Sequence, residues 1–477
     1  MQKVTLGKTA CVVFLLCATT AIALPAQTLI TLHSFDYADG NYPYAGLVQA
    51  TNGKLYGTTV EGGQNGLGTV FKVSTTGTLT TLYNFCAQRG CTDGNYPYAG
   101  LVQGMDGNLY GTTVEGGENG LGTVFRITPT GTLTTLYSFC SIPGCTDGAQ
   151  PWAGLVQASD GSFYGTTYGG GTQSFGTLFK IAPSSTLTTL YSFCSQSGCT
   201  DGASPLAGLL QATDGTLYGT TTGGGTNGGG TVFKVTTSET VAVVYNFCSQ
   251  IYCTDGSNPM TTVLQATDGN FYGTTHQGGT YGYGTVFEIT PSGALTTLHT
   301  FEFTDGALPS AGLVQATDGN LYGTTWGGGD PYHGSGTLFR ISPHGTLTTL
   351  YSFCSQGDCT EGGNPRAGLV QDTDGNFYGT AVFGAYGAGT VFGLSVGLGP
   401  FVETQPTFGR VGRAVKILGT NLTGATSVTF NGTPAVFKVI SRSLIEASVP
   451  VGATSGKVQV GLQNVTLSSN VPFRVKQ

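Results

Sequence analysis

The tripeptide Tyr-Gly-Thr occurs seven times, with its tyrosine at positions 56, 110, 164, 218, 272, 322 and 378. Successive copies lie 54, 54, 54, 54, 50 and 56 residues apart. A period of this length means that one supersecondary unit is repeated and that each unit needs its neighbours to bury its apolar face. The second unit shows the parts. AGLVQGMDG (99–107) ends in an Asp-Gly turn, NLYGTTVEGG (108–117) runs into a Gly-rich loop, and GTVFRITPTG (122–131) turns at Pro-Thr-Gly into TLTTLYSF (132–139). Asp-Gly between apolar runs is a strong hairpin signal. The apolar pieces are β-branched and aromatic, and none reaches helix length. In LTTLYSF, Leu190 falls on one side and Tyr191 and Phe193 on the other, as expected of strands covered on both faces. Four antiparallel strands per unit, seven times over, predict an all-β chain built as a seven-bladed β-propeller.

The ends of the array predict how the ring closes. The seventh repeat has its first three pieces (367–375, 376–384 and 389–397) but no TLTTLYSF. Residues 28–35 supply that missing piece at the start of the array. The N-terminal strand is therefore expected to complete the last blade, since an open array would expose a strand edge.

Twelve cysteines are present. Cys11 and Cys17 fall in residues 1–26, which read as a signal peptide: Lys3 and Lys8 precede the apolar run 10–16, and Ala21-Ile22-Ala23 or Ala26 marks cleavage. Leu16 stands where a lipobox before Cys17 needs a small residue. The other ten cysteines form five pairs with a spacing of five: Cys86/Cys91, Cys140/Cys145, Cys194/Cys199, Cys248/Cys253 and Cys354/Cys359. An even count behind a signal peptide implies disulfides in an oxidising compartment. Two thiolates per loop with no nearby histidine argue against zinc. No later apolar run is long enough to span a bilayer. Charged residues make up 9% of the chain, net charge is −7 and no basic run appears, so nucleic acid and anionic membrane are not expected partners.

The units LVQATDGNLYGTTxGG and GTVFKITPSGTLTTLYSF, agreeing in seven copies over residues 28–398, resemble the GloVer-type tandem repeat of bacterial exported proteins. More distantly, the Asp-Gly-Asn-Leu-Tyr-Gly-Thr core is similar to propeller repeats of sensor-protein periplasmic regions. That likeness implies that the first piece lines the channel and the fourth lies outermost. GloVer proteins are named for varied C-terminal anchors, but no sorting motif or apolar tail follows the repeats here. Instead VKILGTNLTGATSVTFNGTPAVF (415–437), residues 445–450 and SGKVQVGLQNVTLSSNVPFRV (455–475) resemble an IPT/TIG domain, an immunoglobulin-like sandwich. Short strands with turn residues every eight to twelve positions agree with that reading. The resemblance implies adhesion or spacing outside the cell; members that bind DNA do so through basic loops not visible in this stretch. The expected domains are a signal peptide (1–26), the propeller (27–398) and the Ig-like module (399–477).

In this strand order the fourth-to-first and second-to-third connections share one face, so the cysteine loops and Gly-rich loops should surround one mouth of the channel. Ligands are sought there. The acids after the cysteine pairs, Asp39, Asp93, Asp147, Asp201, Asp255, Asp305 and Glu361, leave two readings open: a ring holding a cation such as calcium, or Asx turns within each loop. Tyr42, Tyr44, Tyr96, Tyr98 and Trp152 flank the loop proline, and Tyr168, His276 and Trp326 follow the Tyr-Gly-Thr motif. Of these, Tyr44, Tyr98, Trp152, Tyr168, His276 and Trp326 are the candidate stacking platforms for sugars or aromatic side chains, against the alternative of packing between blades. Five histidines exist; His33 and His299 replace the tyrosine of the fourth piece and read as packing residues, and His344 lies in a turn on the other face. No catalytic spacing is found, and the Gly-rich loop 223–230 lacks the Lys and the helix of a phosphate cradle. The expectation is an exported, non-catalytic binding or adhesion protein that meets an extracellular protein or polysaccharide on its long-loop face, without a cofactor. The alternative is a secreted polysaccharide hydrolase or lyase with acids at the channel mouth, on fold analogy.

Overall fold

The computed structural model describes residues 27–236, 240–355, 357 and 359–476; the expected signal peptide lies outside them. No α-helix occurs among the described residues. Seven four-stranded antiparallel sheets follow one another. In the second, Val102–Gln103, Leu109–Thr113, Thr123–Ile127 and Leu133–Ser138 pair in sequence order. In the seventh, Thr28–Ser34 takes the fourth place beside Thr390–Ser395, with Leu29 opposite Leu394 and Ser34 opposite Thr390. The ring closes as the array ends imply.

Each residue of the repeated Tyr-Gly-Thr-Thr has its own task. The tyrosine ring is buried, or half-buried at Tyr164, and in five copies its hydroxyl donates to the acid of the preceding hairpin, as Tyr110 Oη does to Asp106 Oδ2 at 2.8 Å; at Tyr56 the direction reverses and Asn52 Nδ2 donates at 2.7 Å. The glycine lies opposite a phenylalanine on the third strand, and a Cβ there would meet that ring: 2.6 Å from Phe125 Cζ at Gly111, 2.5 Å from Phe233 Cζ at Gly219. The first threonine donates to a carbonyl of the next blade, Thr58 to Ala99 O at 3.0 Å and Thr112 to Ala153 O at 2.9 Å. The chain of bonds returns to its start with Thr380 and Ala45 O, also 3.0 Å. The second threonine pairs its hydroxyl with that of the third strand, as Thr59 does with Thr69 at 2.8 Å.

The first strand of each blade is shorter than expected, two residues of ladder instead of a full piece. Its Ala-Gly-Leu portion runs beside the neighbouring blade's: a Cβ on Gly100 would stand 3.1 Å from Gly46 O, and one on Gly154 3.1 Å from Gly100 O. Such close approach of backbones is what glycine allows there. Below this constriction a second belt runs through Gln49, Gln103, Gln157, Gln211, Gln265, Gln315 and Gln371. Each amide oxygen accepts the N–H of the preceding blade's turn: Gln103 from Thr51 at 2.9 Å, Gln371 from Thr317 at 3.1 Å, and Gln49 from Thr373 at 3.2 Å. Apolar cores form between blades. Tyr56, Val70 and Phe85 of the first pack with Leu109, Phe125 and Ile127 of the second; Tyr378 and Val391 of the seventh pack with Leu55 and Phe71 of the first.

Val402 onward forms the Ig-like sandwich. One sheet holds Val402–Gln405, Ala414–Gly419, Leu444–Ser448 and Phe437–Ser441, the other Thr433–Pro434, Ser427–Phe430, Val458–Gly461 and Thr466–Ser468. Ile417, Phe430, Ile445, Val460 and Phe473 fill the space between. This module rests on the short-turn face of the propeller. Gln405 Nε2 donates to Gln103 O at 3.2 Å, Asn470 Nδ2 to Gln315 O at 3.0 Å, and Phe401 N to Thr373 O at 3.1 Å.

Candidate functional site at the channel mouth

On the opposite face, five of the seven connections from outer to inner strand are cysteine loops. All five expected disulfides are present: Cys86–Cys91, Cys140–Cys145, Cys194–Cys199, Cys248–Cys253 and Cys354–Cys359, with Cα–Cα separations of 4.0–4.3 Å. Their ten cysteines all adopt left-handed backbone, with φ between 49° and 60°, a conformation that non-glycine residues hold only where the surroundings impose it. The second cysteine of each pair sets the loop's turns. The carbonyls of Cys91, Cys145, Cys199 and Cys253 each accept two backbone N–H groups, for example Gly94 N and Gly117 N at Cys91, both at 2.9 Å, and Gly256 N and Gly279 N at Cys253, both at 2.9 Å. Cys359 O accepts Gly362 N at 3.1 Å. These pairs brace the crossing between blades and tie it to the Gly-rich loop; none of them lines the mouth.

The acid that follows is spent inside its own loop. Asp201 accepts from Tyr191 Oη at 2.7 Å, Ser195 N and Oγ at 2.9 Å, and Gln196 N at 3.2 Å; Asp93, Asp147 and Asp255 repeat the pattern. Because the tyrosine belongs to the outermost strand, these carboxylates stand at the periphery. They do not ring the mouth, and the turn reading describes them. Glu361 bonds Cys354 N at 2.9 Å. His33 and His299 do more than pack. In the two loops without cysteines, Nε2 meets Asp39 at 2.6 Å and Asp305 at 2.8 Å, taking over the tyrosine's bond while the rings lie edge-on to Phe35 and Phe301.

The mouth is built by the residue after each loop proline. Tyr44, Tyr98, Trp152, Leu206, Met260, Ser310 and Arg366 occupy that place in blades one to seven. With Tyr168 they line a cup of about 380 Å³. The prolines fix the position: each packs its Cδ where the glycine ending the neighbouring Gly-rich loop leaves room, as Pro97 does at Gly68 and Pro151 at Gly122. One side is aromatic. Ring centroids are 5.4 Å apart for Tyr44 and Tyr98, 4.3 Å for Tyr98 and Trp152, and 6.5 Å for Trp152 and Tyr168. The Arg366 guanidinium lies over two rings, 5.0 Å from Tyr44 and 5.3 Å from Trp326, in cation–π geometry. Among the described residues no carboxylate lies within 4.0 Å of it.

Of the six expected residues, Tyr44, Tyr98, Trp152 and Tyr168 line the cup directly. Trp326 meets it through Arg366. His276 meets it through Ser310, whose Oγ is 3.2 Å from Nδ1. Leu206, Met260, Ser310 and Arg366 escaped sequence reading as site residues; the signal that finds them is their shared place after the loop proline. Burial lowers the His276 imidazole pKa, and the charge of Arg366 adds to that. Burial, with Tyr44 and Glu61 beside it, raises the Tyr98 phenol, against a smaller opposite pull from Arg366. Trp152 Nε1 is buried with no acceptor, an unusual state for an indole N–H. Asp330 is spent on its own loop, accepting from Tyr332 N at 2.8 Å and His333 N at 3.1 Å. Among the described residues no three of His, Cys, Asp or Glu are grouped to hold a metal ion, and no helix is long and apolar enough to cross a membrane.

Two overlapping stretches, residues 18–209 and 195–392, match the Gloeobacter/Verrucomicrobia repeat, and residues 402–475 match the IPT/TIG domain. No curated protein matches the chain. Among solved structures, a fungal alcohol oxidase of the AA5 family, in complex with copper, is 13% identical with a TM-score of 0.52, over 94% of this chain and 99% of that one. A putative 6-phosphogluconolactonase from Bacteroides uniformis is 14% identical with a TM-score of 0.43, over 64% and 83%. An auxiliary nutrient binding protein from Bacteroides thetaiotaomicron is 12% identical with a TM-score of 0.39, over 62% and 68%. At such identities the oxidase speaks for the fold alone, and the other two carry no argument.

Proposed function

The chain belongs to the Gloeobacter/Verrucomicrobia repeat family, and from that premise we propose that it is an exported, non-catalytic binding or adhesion protein whose long-loop face recognises an extracellular polysaccharide or protein. The observation that carries this reading is the cup itself. Seven near-identical repeats place seven side chains at equivalent positions, and those seven are not alike. A scaffold needs sameness there no less than at its glycine and glutamine positions; a site needs difference. A row of tyrosine and tryptophan faces suits stacking on sugar rings or on aromatic side chains. Arg366, held over Tyr44 and Trp326, adds a positive charge to that row. Five disulfides and the IPT/TIG module fit work outside the cell.

A glycan array and a pull-down from cell surfaces test the proposal. Binding should appear in at least one, and Trp152→Ala should weaken it by about tenfold, roughly 1.4 kcal/mol, with little change in melting temperature. Blank results in both with folded protein overturn it. The hydrolase or lyase alternative is tested by turnover of a polysaccharide panel: cleavage lost on Glu115→Gln, in the Gly-rich loop after the second Tyr-Gly-Thr motif, or on Asp330→Asn, in the loop after the sixth, would replace the binding reading.

A further inference from the structure

Charge is divided unevenly between the two modules. Residues 27–398 hold eight Lys or Arg against 23 Asp or Glu, whereas residues 399–477 hold eight against two, Glu403 and Glu446. No basic run marks this in the sequence, because the cations are scattered over three strands and a turn. Folding gathers four of them. Arg410, Arg413, Lys416 and Lys476 line a cleft of about 420 Å³ between the Ig-like module and the propeller turns that carry Met105 and Ser159.

Among the described residues no carboxylate lies within 4.0 Å of any of these cations. Glu446, the cross-strand neighbour of Lys416, lines the same cleft without pairing. Lys416 Nζ instead donates to Met105 O at 3.3 Å, and Lys476 Nζ sits 4.2 Å from the centre of the Phe408 ring. Burial, and then the charges of Arg474 and Arg410, lower the Lys476 ammonium pKa. Like charges held together in this way repel, and a bound anion relieves that repulsion.

We propose that this cleft is a second binding site, separate from the channel mouth, for a short segment of an anionic oligosaccharide bearing sulfate or carboxylate groups. The two arginines offer planar forks that match such oxyanions. A bilayer surface cannot enter a cleft walled by two modules, and the acidic propeller repels one. Single-stranded nucleic acid needs free aromatic faces to stack on, but Lys476 and Arg474 stand over the Phe408 ring. A saccharide needs only the charges and room for a few rings.

The test uses the full chain and calorimetric titration with a heparin-derived octasaccharide, a galacturonate octamer, inorganic sulfate and a single-stranded oligonucleotide. It is run at about 50 mM ionic strength, where screening still leaves a range of roughly 10 Å or more. At least one saccharide should bind, and Arg410→Ser with Arg413→Ser should weaken it by about tenfold or more. Both side chains are exposed, so folding should be kept. Arg89→Ser with Arg442→Ser removes the same charge from exposed positions away from the cleft and should leave binding within about twofold. Trp152→Ala should leave it unchanged, which separates this site from the mouth. The proposal is overturned if neither saccharide binds, if the control pair weakens binding as much as the cleft pair, or if the oligonucleotide or sulfate alone binds as tightly as the saccharides.

Discussion

Gln49 and Thr373 are 324 residues apart in the chain, and the amide oxygen of the first accepts the backbone N–H of the second at 3.2 Å. Gln49 Nε2 also donates to Asp372 Oδ1 at 2.8 Å and Thr373 Oγ1 at 2.9 Å. These bonds join the last blade to the first and make the glutamine belt continuous. The same seam is held at the outer edge by Thr28–Ser34. Removing residues 27–34 should leave Thr390–Ser395 as an open edge. The expected outcome is a fall in melting temperature together with concentration-dependent association, read by calorimetry and light scattering. Gln49→Ala should cost about 1–3 kcal/mol, since it leaves buried partners unmet.

The seam also carries a pH dependence. Burial, and then Asp374, raise the Asp372 carboxyl to about 7; its Oδ2 has no hydrogen-bond partner. Glu403 on the first strand of the Ig-like module is raised to about 7 by burial and by Asp372. A carboxyl whose folded value exceeds its unfolded one stabilises the fold when protonated. That contribution is whole below about pH 4, the unfolded value, and is lost as pH rises to about 7. Wild-type protein should therefore lose stability relative to Asp372→Asn between pH 5 and pH 8, by about 1–2 kcal/mol. Denaturant titrations of both proteins across that range check the sign.

The loop staples and their acids should be separable. Cys194→Ser with Cys199→Ser should cost roughly 2 kcal/mol by loop entropy. Asp201→Ala should cost about as much or more, because it leaves Ser195 N and Gln196 N without their acceptor. Mass mapping of the unreduced wild type should find no free thiol at either cysteine.

The glycine of the repeated motif should resist change. At Gly219 a Cβ would stand 2.5 Å from Phe233 Cζ and 2.8 Å from Leu209 Cδ2. Gly219→Ala should destabilise by about 1–3 kcal/mol through overpacking, and Gly219→Ala with Phe233→Leu should recover part of that loss. Additive losses in a double-mutant cycle would count against the contact.

Much of the architecture is legible in the sequence because it is local and repeated. The period, the Asp-Gly hairpins, the five cysteine pairs and the missing fourth piece of the last repeat are all read within or between neighbouring units. Interaction range explains this: hairpins and short disulfide loops are decided by residues a few positions apart. The first piece reads longer than its ladder because its Ala-Gly-Leu portion meets only the next blade, and no local pattern reports that. His33 and His299 read as packing residues because their partners, Asp39 and Asp305, look like ordinary turn acids. The six aromatic and imidazole candidates are visible as departures from the repeat, and four of them line the cup, whereas Leu206, Met260, Ser310 and Arg366 join its lining only when the ring brings positions about one repeat apart to a common axis. The basic cleft is wholly tertiary. Arg410 and Lys476 lie at opposite ends of the Ig-like module's sequence, and the parallel pairing of Phe408–Arg410 with Arg474–Lys476 sets them side by side against the propeller.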